Sequence, residues 1–393
     1  MSIKNVIGGA ERVLYEQSTR LSNKGHLVHI LTRRLPEHGS EMEIISGVEE
    51  WRYDIDHANS FSFFRTTLSN GTKLFELLNH RNTYEVINFH QPFSSFPVIR
   101  SRQAGKLKKI YTCHSLSFEE YLARNPASGN FPQNIRRTLN VLARRHIESV
   151  VLRKSDIIVV LSRFTKDKVK KTYGIPGSKI KIIPGGVDIE KFHPAYDVNQ
   201  IRRSLGIPSD RIILLSVRNL VPRMGLENLI TAVKDVSLAI PEIYLVLGGK
   251  GPLLKDLAML AEQLNISDRI HFAGFIPEDA LPDYYRMADI FVLPTRELEG
   301  FGLVTLEALA SGVPVLGTPV GGTLEILGGF NPGYLFKDTK PESISDLIIE
   351  TCRKIRRYPD FKLVTGAKCR SYVEENYSWE NNISQLEKIF GAV

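Results

Sequence analysis

The stretch Pro294-Thr295-Arg296-Glu297-Leu298-Glu299-Gly300-Phe301-Gly302-Leu303-Val304-Thr305-Leu306-Glu307-Ala308-Leu309-Ala310-Ser311-Gly312-Val313-Pro314-Val315 decides the fold. It leaves an apolar run, Ile290 to Leu293, crosses a loop with two glycines, and enters a helical pattern at Leu303. Strand, glycine loop and helix in that order make half of a parallel βαβ unit. The glycines let backbone N–H groups approach a ligand closely, and the first helical turn offers unpaired N–H groups at a positive dipole end. Glu299 falls in the loop and Glu307 about one turn inside the helix. Two carboxylates so placed suit the vicinal hydroxyls of a sugar or ribose. Taken alone, the pair reads more simply as a solvated loop carboxylate and an ion-paired helix carboxylate.

The same rhythm extends in both directions. Ile212 to Val217, Ile243 to Leu247, Ile270 to Phe272 and Val313 to Leu316 read as strands, with helices from Leu226, Leu253 and Pro282. In the first half a helix from Ala10 to Asn23 precedes the apolar run Leu27 to Leu31. Val86 to Phe89, Lys109 to Thr112 and Ile157 to Leu161 follow as strands, the last leading into a helix from Thr165 to Thr172. Pro184-Gly185-Gly186-Val187-Asp188 and Phe192-His193-Pro194 supply the turn formers of a linker. The expectation is an α/β protein of two Rossmann-like doubly wound domains facing a central cleft, 1–190 and 191–375. A last segment, 376–393, holds a helix around Trp379. In such sheets ligands sit beyond the carboxyl ends of the strands.

At 393 residues, with 42% hydrophobic and 24% charged, the composition is globular and excludes disordered and collagen-like chains. No apolar run reaches the ~18 residues of a spanning helix, and the start lacks a signal-peptide core, so the expected compartment is the cytosol. Three scattered cysteines fit neither a disulfide framework nor a CxxC metal site. The net charge of +8 is uneven: residues 1–190 hold 29 Lys/Arg against 18 Asp/Glu, and the excess lies in 101–190. There Arg136, Arg137, Arg144, Arg145 and Arg153 interleave with Ile135, Leu139, Leu142, Ile147 and Val151 on one amphipathic helix. This is either a solvated face or a peripheral contact with an anionic membrane, on the inner face of the plasma membrane. No nucleic-acid motif accompanies the charge. Asp54-Ile55-Asp56 follows no strand end and reads as a solvated loop, so no metal site is assigned.

The chain resembles the retaining glycosyltransferases of family 4, which have the GT-B fold. The resemblance rests on the Glu-x7-Glu stretch and on Val320-Gly321-Gly322-Thr323-Leu324-Glu325. It extends through Gly8-Gly9-Ala10-Glu11-Arg12, Thr112-Cys113-His114, Leu220-Val221-Pro222-Arg223-Met224-Gly225, Gly249-Lys250-Gly251-Pro252-Leu253, Phe272-Ala273-Gly274-Phe275 and Ser378-Trp379-Glu380. It covers nearly the whole chain, with an acceptor domain first and a nucleotide-sugar domain second, and implies that the helix around Trp379 crosses back to the first domain. It implies that Glu307 binds the ribose hydroxyls and Glu299 the donor-sugar hydroxyls. The amides of Gly300, Phe301, Gly302, Leu303 and Val304 hold the sugar and diphosphate, and the Phe275 and Ile276 backbone faces the base. His114 touches the donor sugar, and Gly8 and Gly9 approach the diphosphate. The implied reaction needs no cofactor and no metal: a hexose passes from a nucleotide diphosphate sugar, the co-substrate, to a glycan or lipid-linked acceptor in polysaccharide or glycolipid synthesis.

Two departures qualify the resemblance. The usual Gly-Arg-Leu and Arg-Lys-Gly supply an Arg and a Lys that grip the diphosphate, whereas this chain has Arg218-Asn219-Leu220 and Arg223-Met224-Gly225. Literal alignment puts Asn219 and Met224 at the cationic positions, leaving Arg218 and Arg223 to reach over. The alternative function is therefore a weak or inactive homologue that binds sugar-nucleotide or glycan as a partner subunit. The second departure is at the start: seven residues before Gly8 are few for the strand that normally precedes this loop, so the expected first strand lies upstream of Met1.

Overall fold

The computed structural model describes residues 1–391 apart from Asn5, Ile7, Glu37 and residues 126–130. The chain divides into two units, one of Met1–Pro184 with the closing helix Trp379–Gly391, the other of Gly185–Ser378. The divisions fall after Pro184 and Ser378 rather than at 190 and 375, for a packing reason. Val187 bridges to Ser378, and a Cβ on Gly185 would meet Phe301 and Leu303 at 3.0 and 2.8 Å, so the linker is built into the second unit.

The first unit holds two sheets. One is β1 (His29–Arg33), β3 (Val48–Tyr53) and β2 (Met42–Ile45) in that spatial order. The β2–β3 hairpin turns through Ser46 and Gly47, both with positive φ (49° and 81°) as a type I′ turn requires. The other is the parallel row β4 (Val86–Phe89), β5 (Lys108–Cys113), β6 (Ile157–Val160) and β7 (Ile180–Ile182). β2 joins its sheet antiparallel, so that sheet is mixed, and the run expected at Leu27 to Leu31 forms its strand two residues later. Before the helix Gly9–Asn23 no described residue lies in a strand; Asn5 and Ile7 fall outside the described residues. Ser2 and the Ile3 N–H instead bond the buried carboxylate of Glu50, and Ile3 packs on Ile30 and Val48.

The helix Phe131–Lys154 is anchored at its C-terminal half. Ile147, Val151 and Leu152 are buried, and Glu148, fully buried, accepts from Ser117 N (2.9 Å) and Tyr173 Oη (2.5 Å). Burial pushes the Glu148 carboxyl up to about 7 against the pull of those hydrogen bonds. Asp54 and Asp56 lie in an exposed loop, where Asp54 pairs with Arg34.

The second unit is one parallel sheet in the order β10 (Ile270–Gly274), β9 (Ile243–Gly248), β8 (Ile212–Val217), β11 (Ile290–Leu293), β12 (Val315–Gly317). Five of the six β8 residues and all of β11 are buried, as continuous apolar strands covered on both faces must be. The helix Leu226–Ala239 places Leu226, Leu229, Ile230, Val233 and Val236 in the core beneath it. Because β8 pairs with β9 on one side and β11 on the other, the chain's path reverses between β8 and β11. That reversal is the switch point at which doubly wound sheets open a crevice.

Candidate functional site

At the switch point the loops leaving β8 and β11 meet. Arg218, one residue past β8, is 9% exposed and sends Nη2 to Glu299 Oε2, with Thr295 Oγ1 (3.2 Å) and Met224 Sδ (2.9 Å) beside it. Thr295 Oγ1 also donates to Glu299 Oε2 (3.2 Å). The loop carboxylate is therefore buried and ion-paired, the reverse of the simple reading. None of the bonds described for Glu299 uses its Oε1.

Backbone contact holds this loop in place. Gly225 has φ 69°, and a Cβ there would lie 2.0 Å from the Pro294 carbonyl oxygen; Gly321, at φ 58°, would bring one within 1.9 Å of the Glu299 carbonyl. Only glycine fits either position. Leu298 takes φ 60°, an uncommon conformation for leucine, and its carbonyl accepts from Arg223 Nη1 (3.0 Å). Arg223 thus braces the loop from the neighbouring turn.

Gly302, left-handed at φ 95°, precedes the helix Leu303–Ala310. Beside it lie two buried polar atoms that have no partner among the described residues, Thr305 Oγ1 and Thr323 Oγ1, and the Nε of Arg218, on the guanidinium that holds Glu299, is likewise unpartnered. The first two are the nearest atoms to a Cβ built on Gly302, at 3.2 and 3.7 Å. Buried donors left unpaired are costly, and their clustering at one turn marks a place where a ligand completes them. Glu307, in that helix, accepts from the fully buried Tyr285 hydroxyl at 2.7 Å. Burial first, then the Glu307 charge, drives the Tyr285 phenol well above its ordinary value, so it remains a donor. On the loops after β9 and β10, Lys250 Nζ stands 5.0 Å over the ring of half-exposed Phe275, and Ile276 is buried. Asn219 is exposed, whereas Met224 is 5% exposed against Arg218. Literal cationic positions therefore split into a surface amide and a packed thioether.

His114 and the glycine pair belong to the first unit. Gly8 caps the helix Gly9–Asn23, its carbonyl accepting from Arg12 N. His114 follows β5 directly, and its Nε2 lies 3.1 Å from His90 Nδ1, with the two rings stacked at 5.3 Å. His114 Nδ1 is buried and has no partner among the described residues. If His90 Nδ1–H donates, His114 carries its proton on Nδ1 and can donate it to an oxygen. Burial lowers the His114 imidazole to about 4, and burial together with His114 lowers His90. The imidazole of His114 is thus expected to stay neutral from pH 8 to 5. Its ring-proton shift should not move over that range, and a midpoint near 6.5 would contradict the geometry.

Thr295, Tyr285, Thr323, Thr305, Lys250 and His90 were not assigned from sequence. His90 carried a usable signal, since it follows β4 as His114 follows β5. The others acquire a role only through tertiary contact.

Two family models divide the chain between them: "Glycosyltransferase Family 4" over residues 7–191 and "Glycosyl transferases group 1" over residues 197–358. The GDP-mannose-dependent alpha-(1-6)-phosphatidylinositol monomannoside mannosyltransferase of Mycolicibacterium smegmatis is 29% identical over 245 residues, 61% of this chain and 63% of that protein. The match thus spans less than two thirds of that relative. Sucrose-phosphate synthase from Thermosynechococcus elongatus superposes with a TM-score of 0.81 at 23% identity, over 98% of this chain and 93% of that one. Anabaena HepE in complex with UDP-glucose gives 0.77 at 16% identity, over 99% and 97%.

Proposed function

We propose, since this chain belongs to glycosyltransferase family 4 and has the GT-B fold, that it transfers a hexose with retention from a nucleotide diphosphate sugar to a glycan or lipid-linked acceptor. The observation that carries this reading is the set of unpaired donors around Gly302, beside a carboxylate pinned by Arg218. Glu299 Oε1 takes a donor-sugar hydroxyl, and Arg218 Nε, Thr305, Thr323 and the amides of the Gly302 turn take the diphosphate. Glu307, oriented by Tyr285, takes the ribose hydroxyls. Phe275 and Ile276 line the base, and His114 donates to the sugar. The bond from the anomeric carbon to the leaving phosphate oxygen breaks, and the acceptor oxygen bonds to that carbon on the same face. The acceptor proton passes to the leaving diphosphate, whose growing charge is stabilised by Arg218 and the helix N-terminus.

The mannosyltransferase among the relatives names a GDP-mannose donor and a phosphatidylinositol acceptor, and HepE was solved with UDP-glucose; both fit a nucleotide-sugar donor here. The contrasting reading, a binding subunit without turnover, is favoured by one observation: neither Asn219 nor Met224 supplies a cation. Release of nucleoside diphosphate with acceptor glycosylation, tested over a panel of nucleotide sugars, separates the two. Asn219→Arg restores a charge at an exposed position without burying it, and is expected to raise kcat by about tenfold. An unchanged rate would show that Asn219 does not limit turnover; binding without any diphosphate release would favour the subunit.

A further inference from the structure

Sequence reading put Ile135, Leu139, Leu142, Ile147 and Val151 on one amphipathic helix. The structure divides them. Ile147 and Val151 are buried, while Phe131, Ile135, Leu139 and Leu142 are 76%, 47%, 61% and 56% exposed. At about 100° per residue the four exposed side chains fall within an arc of about 80° over three turns. The helix's inward face is centred on the opposite side. There Arg144 lies over the Phe93 and Tyr121 rings at 4.8 and 4.6 Å, and Ile147, Val151 and Leu152 enter the core. The outward stripe is therefore not core packing.

Its surroundings are cationic. Arg136 and Arg145, both exposed, flank the stripe on its two sides, and Arg153 continues it toward the C-terminus. The helix's one acidic residue, Glu148, is fully buried. On the neighbouring helix Ser117–Arg124, Glu119 pairs with Lys168 and Glu120 with Arg124. Residues 101–190 carry 18 Lys/Arg against 7 Asp/Glu. The other exposed hydrophobics of this unit, such as Leu27, Ile44, Phe61 and Phe64, do not repeat over three helical turns.

We infer that the helix Phe131–Lys154 docks this unit on an anionic lipid surface, its apolar stripe entering the headgroup boundary and its arginines meeting lipid phosphates. An apolar stripe edged by arginines and free of exposed acids is the chemistry of a helix lying in a charged bilayer interface. A protein partner of opposite charge could match the arginines, yet the parallel apolar stripe along the helix fits a flat lipid boundary better. The inference rests on this surface alone and does not require the glycosyltransferase reading.

The test is flotation of the full chain with vesicles of phosphatidylcholine alone, or mixed with phosphatidylglycerol, at low and high salt. The expected result is binding to the mixed vesicles only, lost in high salt. Ile135→Asp with Leu139→Asp should reduce the bound fraction at least about tenfold. Arg136→Ser with Arg145→Ser should weaken low-salt binding roughly fivefold per charge removed. All four positions are exposed, so circular dichroism should be unchanged, and the melting temperature should fall only slightly, through the loss of the Arg145 guanidinium 5.1 Å over the Phe118 ring. Phe131→Trp supplies an independent readout, a blue-shifted emission with mixed vesicles. Equal binding to neutral vesicles, or variants that bind like the parent chain, would overturn the inference. So would light scattering that shows a dimer dissociated by the Ile135 and Leu139 changes, since a second copy would then cover the stripe. Donor binding can be measured without lipid, so either reading can fail while the other stands.

Discussion

Glu299→Gln is expected to lower kcat/KM by about 10²–10³-fold, the scale of losing one preorganised electrostatic contact in a transition state. Arg218→Met should cost a similar factor, and the double variant little more than either alone. The two side chains form one device: Arg218 Nη2 and Thr295 Oγ1 hold Oε2, and the proposed function gives Oε1 to the donor sugar. Groups that act as a unit give non-additive losses. Stability should follow a different pattern. Each single change leaves one buried charge without its partner, at about 3 kcal/mol, while the double change leaves neither and recovers most of that loss. Kinetics combined with denaturant midpoints would display the contrast: a double variant that is stable yet inactive. Additive kinetic losses, or a double variant as unstable as the singles, would show that Arg218 and Glu299 do not work together.

That device was only half legible in the sequence. The loop, its glycines and both glutamates follow from local pattern, because a strand end, a glycine turn and a helix start each leave a short-range signature. The pairing of Arg218 with Glu299 joins positions 81 residues apart and depends on β8 and β11 lying side by side. Strand order is a tertiary fact, and no local pattern encodes it. The strands of the second unit were read to within two residues, and β8, β9 and β11 most nearly, since both their faces are covered and their apolar runs are almost unbroken.

The first unit was read less completely. The helix Ser60–Arg81 has no counterpart in the sequence reading, and Ser69-Asn70-Gly71 within it would by local pattern favour a turn. Gly71 is instead small where the helix crosses the Tyr53 ring, 3.4 Å from where a Cβ would sit. The hairpin through Ser46-Gly47 is also absent from the sequence reading; its strand Met42–Ile45 is short and leaves Met42 and Ile44 exposed. The outward stripe of Phe131–Lys154 merged in the sequence with the core-facing residues of the same helix, and only burial separates them.

Met224→Lys is expected to destabilise the second unit, although the resemblance places a lysine at this position. Met224 is buried with its sulfur 2.9 Å from Arg218 Nη2, and that guanidinium already holds Glu299. An ammonium there would set two cations beside one carboxylate. At an effective dielectric near 20, like charges about 4 Å apart repel by about 4 kcal/mol, part of which Glu299 offsets. A net loss of about 2–4 kcal/mol, or a melting temperature lower by about 6–12 °C for a unit of this size, is the expected result. Arg218→Gly and Asn219→Arg added to Met224→Lys should restore most of it, because they withdraw the buried cation and place the new one at an exposed site. The three positions would then behave as one exchangeable set in stability, as expected if the inward arginine takes the place of the two cations that the family resemblance implies. A stable Met224→Lys variant with raised turnover would show instead that Arg218 is not held at Glu299, and the cation supply would have to be sought at Lys250 or Arg223.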